Sequence, residues 1–86
     1  MANVNDFLKA FLMDVIVDGA GIIEKRKLVW LLGRSNARPA VWEELIAQWE
    51  DLGMEPDDLQ GAEVFGNIVL ARAPAKFEPV KKWTVS

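Results

Sequence analysis

Up to Gly53 the apolar residues of this chain recur at helical spacing, and beyond it they do not. That change of period limits the fold more than any other feature, because it sets a helical part before a part that alternates. In the first part, Phe7, Leu8, Phe11, Leu12, Val15 and Ile16 follow the i, i+3, i+4, i+7 pattern, and Met13 and Val17 widen the stripe. Lys9, Asp14 and Asp18 are left for solvent. The spacing predicts a helix over residues 5–18, with Asn5 as its N-cap, Asp6 favourable in its first turn, and Gly19 and Gly21 ending it. Ile22 and Ile23 are β-branched and too few for a helix, so they read as a short extended segment.

A second helix is expected over residues 24–33, with Leu28, Leu31 and Leu32 on its core face, Trp30 off that face, and Gly33 at its end. Arg34 to Arg38 forms a turn in which Ser35 or Asn36 is available as a cap. A third helix follows over residues 37–53, with Pro39 in its first turn, where a missing N–H costs little. Trp42, Leu45, Ile46, Trp49 and Leu52 make its apolar stripe, and Glu43, Glu44, Gln48, Glu50 and Asp51 occupy its other faces. Glu50 and Asp51 stand at the end where the helix dipole disfavours acids, at a cost of a few tenths of a kcal/mol or so.

After the Met54–Asp58 loop, a helix through Leu59–Ala73 would scatter its apolar residues on every side and would contain Gly61 and Gly66. Strands fit better. Ala62 to Phe65 is expected to pair with Ile68 to Arg72 across Gly66-Asn67, giving a hairpin over residues 62–72. Two prolines between Pro74 and Pro79 exclude a helix there, so residues 74–86 read as an extended tail. Its last part, Val80 to Val85, alternates like an edge strand or an arm reaching to another subunit. The expected class is α+β, one domain of three helices with a small C-terminal hairpin.

The 86 residues suffice for one modest core, and a hydrophobic share of 51% supplies it. Cysteine, histidine and tyrosine are all absent. The first two absences remove disulfides, thiolate chemistry, the usual zinc ligands and the commonest general base. Asp14 and Asp18 stand i, i+4 but have no further acid at metal spacing. Glu55, Asp57 and Asp58 lack the rest of a calcium loop. Gly19-Ala20-Gly21 follows a helix, where a phosphate loop would follow a strand. No catalytic, cofactor-binding or metal-binding residue is assigned, and the chain is expected not to be an enzyme and to need no cofactor. No apolar run approaches the ~20 residues of a membrane span, and no basic stretch with an apolar run after it marks a secretory signal. A soluble, cytoplasmic protein is expected.

The net charge of −3 hides a division. From Glu24 to Arg38 there are five basic residues against one acid, whereas from Pro39 to Ala71 there are eight acids and no base. Arg72, Lys76, Lys81 and Lys82 turn the tail basic again. Eight acids without a base exceed what solubility asks, so the third helix is a candidate docking face for a protein partner. Glu43, Glu44, Gln48, Asp51 and Glu55 would carry it. Trp42 and Trp49, i and i+7, read as core, while Trp30 and Trp83 have weaker reasons to be buried and are candidate partner or homodimer anchors. Lys25, Lys27, Arg34, Arg38, Arg72 and Lys76 form the alternative set, for nucleic acid. Three adjacent bases on a helix point in different directions, so Lys25-Arg26-Lys27 is also read as a plain solvated turn.

The order helix, short strand, helix, turn, helix, hairpin over Asn5 to Arg72 resembles the winged helix-turn-helix architecture. The matching pieces are Ile22-Ile23 as the first small strand, Glu24 to Gly33 as the first helix of the motif, Ala40 to Gly53 as the recognition helix and Ala62 to Arg72 as the wing. The resemblance implies DNA binding through the recognition helix. That helix here would present Glu43, Glu44, Gln48 and Asp51, and carboxylates repel phosphates; only Arg38 suits a DNA contact. The sequence therefore points to a small regulatory, accessory or inhibitory factor that docks on a protein, and setting carboxylates where phosphates would lie fits this composition. A DNA-binding regulator using the basic turn and wing is the alternative.

Overall fold

The computed structural model describes residues 4–33 and 39–84. Helix α1 (Val4–Asp18) is followed by strand β1 (Ala20–Glu24), helix α2 (Lys25–Leu31) and helix α3 (Pro39–Asp51). A 3₁₀ turn (Pro56–Asp58) leads into β2 (Leu59–Val64) and β3 (Asn67–Arg72). The chain closes with a two-residue strand β4 (Glu78–Pro79) and a 3₁₀ helix (Val80–Thr84). The strands form one antiparallel sheet in the order β1-β3-β2-β4.

The core lies where the helices meet one face of this sheet. Leu8, Leu12 and Val15 come from α1, Leu28 and Val29 from α2, and Val41, Trp42, Leu45, Ile46 and Trp49 from α3. Leu59, Ile68 and Leu70 meet them from the sheet, and Val80 from the tail. Alternation sends Ile22, Ala62, Val64 and Val69 to the sheet's other face.

Several sequence expectations change in detail. Helix α1 already includes Val4, so Asn5 lies inside it and not at its cap. Its buried stripe is narrower than the apolar pattern, because the sheet and the other helices cover Leu8, Leu12 and Val15 fully and Phe11 and Ile16 in part. Phe7, Met13 and Val17 are exposed. Glu24 ends β1 opposite Asn67 and does not begin the second helix, and the Lys25 N–H donates to the Gly66 carbonyl at 3.0 Å. The expected turn over Arg34–Arg38, with Ser35 or Asn36 as cap, lies outside the described residues.

The hairpin is longer than expected and its turn sits one residue earlier. Val64 faces Asn67 across Phe65-Gly66, and Leu59 faces Arg72. Phe65 has φ 49° and Gly66 φ 77°, the two positive values of a type I′ turn. The gain lies in the packing. This register sets Gly61 opposite Leu70, where a β-carbon would come within 2.9 Å of the Val69 carbonyl oxygen and 3.0 Å of the Trp83 ring. The expected register would set Glu63, which carries a β-carbon, opposite Leu70 and Gly61 opposite Arg72.

The tail is not an extended arm. After a cis Ala73-Pro74 peptide it crosses the sheet, with the Gln60 amide nitrogen donating to the carbonyls of Ala75 at 2.8 Å and Phe77 at 3.3 Å. Glu78 and Pro79 then pair with Gly61 and Gln60. The 3₁₀ helix turns inward, burying Val80 completely and laying Trp83 edge-on against Trp42 with ring centres 4.9 Å apart.

Two substitutions test the hairpin. Phe65→Asn relieves a left-handed conformation that a non-glycine residue adopts at a cost of roughly 1–2 kcal/mol, and should raise the unfolding midpoint. Gly61→Ala should destabilise by about 1–3 kcal/mol in chemical denaturation, because backbone and a ring occupy its place.

The acidic face of helix α3 as a candidate docking site

The burial of α3 fixes what it shows to solvent. With Val41, Trp42, Leu45, Ile46 and Trp49 turned inward, the 100° step of the helix sends Ala40, Glu43, Ala47, Glu50 and Asp51 outward, and all five are exposed. Glu44 and Gln48 flank this face half-buried, with Gln48 Nε2 donating to Glu44 Oε1 at 3.2 Å. The two alanines keep the middle of the face low, so the carboxylates stand along its borders. From Glu43 to Asp51 the face runs about 12 Å.

Glu43, Glu44, Glu50 and Asp51 stand one, six, seven or eight residues apart, never three or four. That spacing avoids the repulsion between like charges on successive turns, so the helix tolerates the density. No described cation is paired to it. The ion pairs among the described residues join Lys25 to Glu63 at 2.7 Å and Lys81 to Asp57, and neither involves a residue of α3. Glu50 and Asp51 thus oppose the helix dipole without a described partner.

Glu55 lies exposed just beyond the helix. Its backbone carbonyl accepts the Trp49 indole N–H at 2.8 Å, which ties the following turn to the end of α3. Of the two tryptophans expected as anchors, Trp30 is 66% exposed on α2, one turn after the exposed Arg26 and Lys27. Trp83 does not stand free: it is half-buried against Trp42 and Gly61.

The alternative, basic set is divided. Lys25 is engaged with Glu63, while Lys27 is exposed on α2. Arg72 Nη1 donates to the Ile16 carbonyl in the last turn of α1 at 3.2 Å, a helix-end contact that suits its charge. Lys76 lies on the segment that crosses the sheet and, with Lys25, Glu63, Glu78, Trp42 and Trp83, lines a groove of about 620 Å³. Arg34 and Arg38 lie outside the described residues. Of the described members, Lys25 and Lys76 share this groove, while Arg72 is turned to the end of α1.

Sequence reasoning left Glu50 out of the candidate site, although it stands i+7 from Glu43 and so on the same face. It also missed the groove, which depends on the tail returning beside β2. Among the described residues no group of three or more acidic side chains is placed to hold a metal ion, and no helix is long and apolar enough to cross a membrane.

The two tryptophans offer a direct test of these placements. Trp83→Ala should cost roughly 2–4 kcal/mol in denaturant unfolding, less than a fully buried tryptophan can cost. Trp30→Ala should stay within about 0.5 kcal/mol.

Comparison with protein-family models, with curated proteins and with solved structures finds no match to this chain.

Proposed function

We propose that this chain is a small, non-enzymatic recognition domain of winged-helix type that docks on a basic protein surface through α3. The element order α1, β1, α2, α3, β2, β3, with β1 flanking the hairpin, supports the architectural part of this reading. The observation that carries the functional part is the outward face of α3, with Glu43, Glu44, Glu50 and Asp51 and no described cation paired to it.

In a DNA-binding winged helix the corresponding helix enters the major groove. Four carboxylates there would meet phosphates, and phosphate contacts supply most non-specific affinity. The same face suits a lysine- or arginine-rich partner, including a nucleic-acid-binding protein whose phosphate site the carboxylates would fill. The chain is then a regulatory, accessory or inhibitory factor acting by occupancy.

Binding to mixed-sequence duplex DNA at two salt concentrations tests the reading. The wild-type chain should not bind even at low salt. Glu43→Lys combined with Glu44→Lys adds four positive charges to a chain of net charge −3 and should create weak, salt-sensitive DNA binding while the far-UV spectrum stays unchanged. Salt-sensitive DNA binding by the wild-type chain, lost in a Lys27→Ala, Lys76→Ala variant, would overturn the proposal and favour a DNA-binding regulator.

A further inference from the structure

Helix α1 and the turn after α3 enclose a small apolar pocket that the fold leaves open. Met13, Ile16 and Val17 line it from α1, and Leu52 and Met54 from the other side, around a volume of about 190 Å³. Ile16 and Val17 stand three and four residues after Met13, so the helix turns all three to one side. Met13 is 53% exposed and Val17 80%, while Ile16, Leu52 and Met54 are half-buried. Every lining side chain is apolar. The space is smaller than the roughly 300–1,000 Å³ of small-molecule sites and suits one side chain of a partner. Two methionines make it adaptable, because an unbranched thioether chain shapes itself to what enters.

The charges around the mouth select the occupant. The charged residues next to the lining ones in the chain are all acids: Asp14 follows Met13, Asp18 follows Val17, Asp51 precedes Leu52 and Glu55 follows Met54. All four are exposed, and none takes part in a described ion pair. Two bases come near. Lys9 stands one turn before Met13, and the Arg72 guanidinium is held on the Ile16 carbonyl at 3.2 Å. The acids outnumber these bases by four to two. Two-fold pairing of this mouth with itself would set acid against acid, and an anionic membrane would be repelled likewise. A basic segment is attracted. Asp51 also belongs to the outward face of α3, so the pocket opens where that face ends.

We infer that the pocket takes a bulky apolar side chain, leucine for instance, from a lysine- or arginine-rich segment of the partner whose bases lie along α3. Exposed ion pairs each contribute little and fix no register, whereas one apolar anchor in a pocket carries a large share of an interface's energy. The inference rests on the docking of a basic partner on α3 and adds the point at which that partner is held.

Two synthetic peptides of equal length and lysine content test it, one with a single leucine among its lysines and the other with serine in that place. Both should shift the backbone amides of α3. Only the leucine peptide should move the labelled methyl signals of Met13 and Met54, and it should bind about tenfold tighter. Met13→Gln should erase that difference with thermal unfolding unchanged, since this side chain is exposed. A third peptide, with the leucine kept and glutamate for every lysine, should leave both methyls unmoved. Equal affinity of the two lysine peptides, a gain that survives Met13→Gln, or methyl shifts with the glutamate peptide would overturn the inference while shifts on α3 keep the docking reading intact. If neither lysine peptide moves α3, the docking reading falls and the anchor with it.

Discussion

Trp49 is fully buried in the core, and its indole N–H donates to the Glu55 carbonyl at 2.8 Å. A side chain of this size removes roughly 150–250 Å² from water. Its one polar group would be costly to bury unpaired, and the turn after the helix supplies the acceptor. This single anchor fixes both the rotation of α3 and the path by which the chain leaves it. Leu59 enters the core just after that path, so β2 begins where the anchor places it. The rotation leaves Ala40, Glu43, Ala47, Glu50 and Asp51 facing solvent. The acidic face is thus the reverse side of the core stripe.

The tail completes the same arrangement from the other side of α3. Trp83 meets Trp42 edge-on and fits under Gly61, the position in β2 where a side chain would collide with it. The C-terminal residues therefore belong to the core and close the sheet through β4. The lysines of the tail are held near the sheet and the 3₁₀ turn, as the contact of Lys81 with Asp57 illustrates. Folding back keeps them from forming a free basic arm and brings Lys76 to the groove that Lys25 also lines.

Much of this was legible in the residues. The i, i+3, i+4 stripes located α1 and α3, and the change of period after Gly53 located the hairpin. Trp42 and Trp49 were placed in the core by their seven-residue separation. The errors have a common origin in tertiary contacts that local patterns do not carry. Gly66-Asn67 has the better turn chemistry, yet Phe65-Gly66 is the turn, because register is decided by what Gly61 must face. Met13 and Val17 extend an apolar stripe but lie beyond the arc that other elements cover. The alternation of Val80 to Val85 suggested a strand, whereas burial of Val80 and the reach of Trp83 to Trp42 require a tighter 3₁₀ path. The acidic face itself was visible from spacing alone. Glu50 belongs to it by the same seven-residue step that linked the tryptophans.

The central claim is that this surface of α3 is where a basic partner docks. Titration of the isotopically labelled chain with a synthetic lysine-rich peptide, followed through backbone amide shifts, tests it residue by residue. The account predicts shifts concentrated on Ala40 to Asp51 and on Glu55, saturating with peptide and fading as salt is raised, with little change at Asp14, Asp18, Asp57 or Glu63. Shifts spread evenly over every exposed acid, or gathered on the groove beside Trp83 while α3 stays unmoved, would contradict it.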